Sequence, residues 1–85
     1  MRSFNYIITD EVGIHARPAG MLVKEAKNFK SKLILECNGK SAELTKLMAL
    51  MALGIKQGAE VIITAQGEDE EIAISKLEEF FKTNL

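Results

Sequence analysis

The sequence predicts an α+β domain of two layers, with helices packed on one face of an antiparallel sheet, and three observations predict it. Segments in which apolar residues alternate interchange with segments of helical spacing, in the order β-α-β-β-α-β-α. Each helical segment has a single apolar side and each strand hides one face, the pattern of elements that share one core. Gly13, Asn38-Gly39, Gly54, Gly58 and Gly67 punctuate the chain between the segments. With 85 residues and no linker or repeat, residues 1–85 are expected to form one domain.

Ser3 to Thr9 reads as the first strand, with Phe4, Tyr6 and Ile8 on one face. Glu11 to Ile14 is a loop. A helix is predicted from about Ala16 to Phe29: Ala19, Leu22, Val23 and Ala26 form one apolar stripe, and Lys24 and Lys27 fall away from it. Leu33, Leu35 and Cys37 share a face of the second strand, Lys32 to Cys37. Asn38-Gly39 signals a tight hairpin, because both residues tolerate positive φ, and Lys40 to Leu44 is the returning strand. Thr45 to Leu53 is a short helix that Thr45 can cap and Gly54 can end. Glu60 to Gln66 is the fourth strand. Asp69 is placed to cap the last helix, with Glu70 and Glu71 favourable in its first turn. Ile74, Leu77 and Phe81, flanked by Ala73 and Phe80, give that helix its buried side.

Composition narrows the function. Hydrophobic residues make up 47% and charged residues 27%, an ordinary globular balance, and the formal net charge is −1. That charge offers no electrostatic footprint for nucleic acid. Cys37 is the single cysteine, so neither an internal disulfide nor a cysteine-rich metal site is expected. No run of 18 or more apolar residues occurs, and the first ten residues do not have the build of a signal peptide, so a cytoplasmic location with no membrane insertion is expected.

The chemistry concentrates in Gly13-Ile14-His15-Ala16-Arg17-Pro18-Ala19, where a loop enters the first helix. A helix start leaves backbone N–H groups unpaired and carries partial positive charge, so it can bind an anion. Pro18 is tolerated in a first turn, where its missing N–H is no loss. His15 supplies an imidazole that is substantially neutral and nucleophilic near pH 7, and the Arg17 guanidinium can grip phosphate oxygens. This set suits reversible phosphoryl transfer, which needs positioning and charge stabilisation more than covalent machinery. A lone histidine at a helix start is nonetheless more often a capping or surface residue, and physics alone leaves that reading open.

At these residues the chain resembles the HPr family, the histidine-containing phosphocarriers of the bacterial phosphoenolpyruvate:sugar phosphotransferase system. The likeness continues in Asn38-Gly39-Lys40-Ser41, in Leu47 to Gly54, in Lys56-Gln57-Gly58-Ala59 and in Ala65 to Glu70, covering essentially the whole chain. The resemblance implies an open-faced β-sandwich of three helices on a four-stranded antiparallel sheet, with strand order 1-4-2-3. It implies that His15 is phosphorylated on Nδ1 by phospho-enzyme I and passes the group to enzyme IIA domains of sugar transporters. Arg17 would contact the phosphate, and the amides of Ala16 and Arg17 would help hold it. Such a carrier takes part in phosphotransfer without turning over alone, acts as a monomer, and meets its partners transiently.

The short second helix is the expected docking surface. Leu47, Met48, Leu50, Met51 and Leu53 are too many apolar residues for one buried side of nine residues. Leu50 and Leu53 are expected in the core, and Met48 and Met51 outside, where flexible methionine fits several partners. In family members the residues matching Leu47, Met48 and Met51 join those matching Gly20, Met21 and Lys24 in one patch. Arg17, Lys24, Lys27 and Lys46 could add a positive rim that steers acidic partners; the plainer reading is a set of solvated lysines.

Two positions depart from the family pattern. Lys46 stands where the regulatory serine of many Gram-positive members falls, so no serine-type regulation is expected there; the adjacent Thr45 could substitute, although capping the helix is the plainer reading of it. Val12 stands where serine or asparagine is common, and its side chain cannot donate a hydrogen bond to hold the imidazole. Cys37 falls on the core side of its strand and reads as an inert buried thiol. A carrier for a nitrogen-related relay shares the His15 chemistry. A pure interaction module sits poorly with a retained His15, and a nucleic-acid-binding domain sits poorly with the charge.

Overall fold

Alternating apolar positions in four segments assemble one sheet. The computed structural model describes residues 1–85, in the order β1 (Arg2–Ile7), α1 (Ala16–Ala26), β2 (Lys32–Cys37), β3 (Lys40–Glu43), α2 (Leu47–Met51), β4 (Glu60–Gln66) and α3 (Glu70–Asn84). The strands lie side by side as β1-β4-β2-β3, every neighbouring pair antiparallel. This is the four-stranded open-faced architecture expected above.

The register explains why the alternation matters. Phe4 stands opposite Ile63, Ile63 opposite Leu35, and Leu35 opposite Ala42, so one buried row crosses all four strands. The next row, Ser3, Thr64, Ile34 and Glu43, lies on the open face. A slip of one residue in any pairing would turn a buried row outward, so burial specifies the register. At the hairpin, Asn38 (φ 54°) and Gly39 (φ 79°) both adopt positive φ, the geometry that a two-residue turn between twisted strands requires.

The helices cover the other face. Ala19, Leu22, Val23 and Ala26 of α1, Leu50 of α2, and Ala73, Leu77 and Phe81 of α3 join the strands in one hydrophobic core. Phe81 is its hub, with edge-to-face contacts to Phe4 (5.7 Å) and Tyr6 (5.6 Å). Ala73 takes the fully buried place expected of Ile74, which packs at the margin with Phe80. Cys37 closes the far end of β2 as a buried free thiol.

Several boundaries differ from the periodicity, each for a reason visible in the hydrogen bonds. β1 stops at Ile7, because beyond it the chain turns to other partners: Thr9 N–H donates to the Leu85 carbonyl (2.6 Å). α1 ends at Ala26, and Asn28 and Phe29 follow in tighter i→i−3 turns, their amides bonded to Glu25 and Ala26. β3 ends at Glu43, although Leu44 N–H still donates to Leu33 (2.9 Å). α2 spans only Leu47–Met51; Lys46, not Thr45, takes the N-cap position, and no side chain caps it.

Asp69 is a further correction. It occupies the N-cap position of α3 but makes no capping bond. Its carboxylate instead accepts hydrogen bonds from Lys30 N–H (2.7 Å), Ser31 N–H (2.9 Å) and Ser31 Oγ (2.5 Å). The start of β2 is thereby latched to the start of α3, a long-range contact that local capping rules do not foresee. These donors hold the Asp69 carboxyl below the usual carboxylate range, the Ser31 hydroxyl first among them.

Candidate functional site

The loop between β1 and α1 is built to present one side chain. Asp10 closes it locally: Val12 N–H donates to Asp10 Oδ1 (2.8 Å) and Gly13 N–H to the Asp10 carbonyl (3.0 Å). Gly13 then turns with φ 79° against the segment that follows α2. A Cβ at this position would run into the Ile55 carbonyl oxygen and come within 2.7 Å of Lys56 Cα, so only glycine meets both demands. Ile14 is buried, and its N–H donates to the Ile55 carbonyl (3.0 Å). Residues 13 and 14 thus anchor the loop immediately before His15.

His15 is the N-cap residue of α1, in extended conformation (φ −108°, ψ −176°), and its side chain makes no capping bond. Its carbonyl accepts the first intrahelical bond, from Ala19 N–H (2.9 Å). Ala16 and Arg17 are the first two helical residues, so their N–H groups have no intrahelical acceptor. Pro18 follows and has no N–H to offer. The helix N-terminus therefore projects two backbone donors, next in sequence to a half-buried imidazole and an exposed Arg17. Arg17 belongs to none of the ion pairs of the structure, which join Met1 to Glu70, Arg2 to Glu71 and Lys30 to Glu68. An anion at this place would meet partial positive charge from the amides and full charge from the guanidinium. The Val12 side chain is 63% exposed and forms no part of this arrangement.

α2 lies in contact with α1, which brings the second candidate surface beside the first. Met48 is 78% exposed, Met21 43% and Leu47 40%, while Leu50 is buried. Lys24, Lys27 and Lys46 are exposed and Gly20 is half-buried. Met51 departs from expectation: it is half-buried and packs against the core, as does Leu53. A helix of one and a half turns has room for few outward positions, and 50 and 51 both turn inward. Sequence reasoning also missed the segment 54–59 as part of the site. Its Ile55 carbonyl seats Ile14, and Gln57 Nε2 donates to the Thr9 carbonyl (3.1 Å). In the sequence, Lys56 to Ala59 stands out only by resemblance, since backbone partners across 40 residues leave no local signal.

An open-faced sandwich with a histidine at the mouth of its first helix matches the arrangement that the resemblance implies for a phosphocarrier domain. The model of the family described as the phosphotransferase-system HPr component phosphorylation site matches residues 2–83. The histidine-containing phosphocarrier protein of a Mycoplasma is 43% identical with a TM-score of 0.91, the match covering 93% of this chain and 90% of that one. HPr of Thermoanaerobacter tengcongensis is 35% identical with a TM-score of 0.93, covering 98% and 93%. Crh, the catabolite repression protein of Bacillus subtilis, is 39% identical with a TM-score of 0.78, covering 89% and 87%, and its crystal structure is a swapped dimer. The chain belongs to the HPr phosphocarrier family of the phosphotransferase system. No helix in it is long and apolar enough to cross a membrane.

Proposed function

We propose that His15 is the phosphoryl acceptor, taking the group from phospho-enzyme I and giving it to enzyme IIA domains of sugar transporters. The neutral imidazole attacks phosphorus through Nδ1; the new P–N bond forms as the bond to the donor breaks, and the reverse exchange with an acceptor regenerates free His15. The amides of Ala16 and Arg17 and the Arg17 guanidinium stabilise the charge on the transferring oxygens. The observation that carries this reading is the pair of unpaired amides at positions 16 and 17, immediately after an imidazole that caps nothing. Donor and acceptor proteins must both reach the group, which suits its placement at an open helix mouth.

Docking is assigned to Leu47, Met48, Met21 and Gly20, with Lys24, Lys27, Lys46 and Arg17 as a positive rim. Met51 belongs to the patch only through its exposed part. The chain is read as one cytoplasmic domain that works as a monomer and meets its partners briefly. Phosphoenolpyruvate and enzyme I should place an acid-labile, alkali-stable phosphate on the unchanged chain and none on His15→Ala. Label on the alanine variant would overturn the assignment. Because Lys46 cannot accept phosphate, the ATP-dependent kinase that modifies the family's regulatory serine should leave the intact mass unchanged; a clean single addition would refute this.

A further inference from the structure

We infer that segment 54–59 is the seat that positions the acceptor loop, and that Gln57 is a positioning residue for phosphoryl transfer; the inference rests on the carrier reading above. Both ends of the loop are bonded to this one segment. At the near end, Ile8 N–H donates to the Ala59 carbonyl (3.0 Å) and Gly58 N–H to the Ile8 carbonyl (2.8 Å). Gln57 Nε2 reaches the Thr9 carbonyl (3.1 Å). At the far end, Ile14 N–H donates to the Ile55 carbonyl (3.0 Å), and Gly13 abuts the Ile55 carbonyl and Lys56. Thr9 is also held through its N–H and Oγ1, both donating to the Leu85 carbonyl (2.6 and 3.0 Å). Asp10 N–H donates to the same Leu85 carbonyl (2.9 Å), and Val12 and Gly13 close on Asp10.

The same segment is wound directly onto the docking helix. Ala52 N–H donates to Met48 (2.9 Å), Leu53 N–H to Leu50 (3.2 Å) and Gly54 N–H to Met51 (3.2 Å), and Ile55 follows. A short run of backbone bonds therefore joins Met48, on the exposed side of α2, to Ile14, the neighbour of His15. A partner seated on α2 meets the imidazole at a separation that this segment helps to set, together with the direct packing of α2 on α1. Transfer between two protein sites is sensitive to such separations, because the reacting atoms must be held within near-attack distance. Gln57 is the only side chain that bonds across from the seat to the loop. It is exposed, so replacing it opens no cavity.

The test compares the unchanged chain with Gln57→Leu, Gln57→Lys and Gly13→Ala. It measures phosphoryl transfer from phosphoenolpyruvate and enzyme I, and hydrogen exchange at the Ile14 amide. Loss of one exposed hydrogen bond should lower kcat in Gln57→Leu by about 2- to 10-fold and raise Ile14 exchange by a similar factor. KM for the carrier should stay the same. Gln57→Lys, which restores a long donor, should recover both quantities. Gly13→Ala, which forces the two loops apart, should lower kcat by about 10-fold or more at unchanged KM. The inference is overturned if Gln57→Leu matches the unchanged chain, if the lysine variant is as impaired as the leucine variant, or if the loss lies in KM alone. It is equally overturned if folded Gly13→Ala keeps its kcat. If the unchanged chain takes no phosphate, the carrier reading fails, and Ile14 exchange still decides whether Gln57 holds the loop.

Discussion

At the scale of single residues, the candidate site is a division of labour between backbone and side chain. The amides of Ala16 and Arg17 stay in place when a side chain is truncated, but the Arg17 guanidinium does not. A charge-assisted bond is stronger than a neutral one. Arg17→Ala should slow phosphoryl transfer to His15 by about 10- to 100-fold and leave the melting temperature nearly unchanged, since Arg17 is exposed and unpaired. Stopped-flow transfer and thermal melts would separate the two effects. Met48→Asp tests the neighbouring surface. With 78% of Met48 in solvent, stability should move by no more than about 0.5 kcal/mol, while KM for enzyme I should rise several-fold. A stable variant with unchanged KM would remove Met48 from the docking patch.

At the scale of elements, the start of α3 makes stability depend on acid. Asp69 is held below its ordinary range chiefly by the Ser31 hydroxyl, then by the Lys30 amide. Glu70 is held down chiefly by the ammonium of Met1, then by the Gly67 amide. A carboxyl whose folded value is depressed stabilises fully above its unfolded value. It loses that contribution as pH falls through the folded value. The latch should therefore be intact above about pH 5 and should weaken below about pH 4, the range in which free carboxyls titrate. Urea midpoints between pH 7 and pH 3 should fall in that window. Asp69→Asn should have a lower midpoint at pH 7 and a shallower fall, because its side chain no longer titrates. A slope equal to that of the unchanged chain would show that other carboxyls govern the acid response.

At the scale of the whole molecule, one core serves both layers, and Phe81 ties α3 to β1 through its contacts with Phe4 and Tyr6. Phe81→Ala should cost about 3–5 kcal/mol, a large share of the 5–15 kcal/mol typical of small domains, and calorimetry should show the loss. The architecture was legible in the sequence because its burial is periodic: Phe4, Leu33, Leu35 and the α1 stripe declare their faces locally. The mouth of α1 was legible for a similar reason, since histidine, arginine and proline at a helix start each imply a local geometry. What was not legible depends on partners distant in the chain. Asp69 looked like a cap until Lys30 and Ser31 claimed its oxygens, Met51 looked exposed until α2 proved short, and the role of Ile55 follows from a loop 40 residues away. Helix ends misled for a local reason: Asn28 and Phe29 tighten into i→i−3 turns, and Lys46 rather than Thr45 takes the N-cap position of α2.

The single buried thiol of Cys37 has a practical consequence. It lies where β2 meets the hairpin, under the helical layer and away from the acceptor loop in sequence. A colouring reagent for sulfhydryls can reach it only when that corner of the sheet opens, so the rate of labelling becomes a clock for native-state breathing. Run on each variant described above, that clock would report loosened scaffolding without any reference to phosphate chemistry.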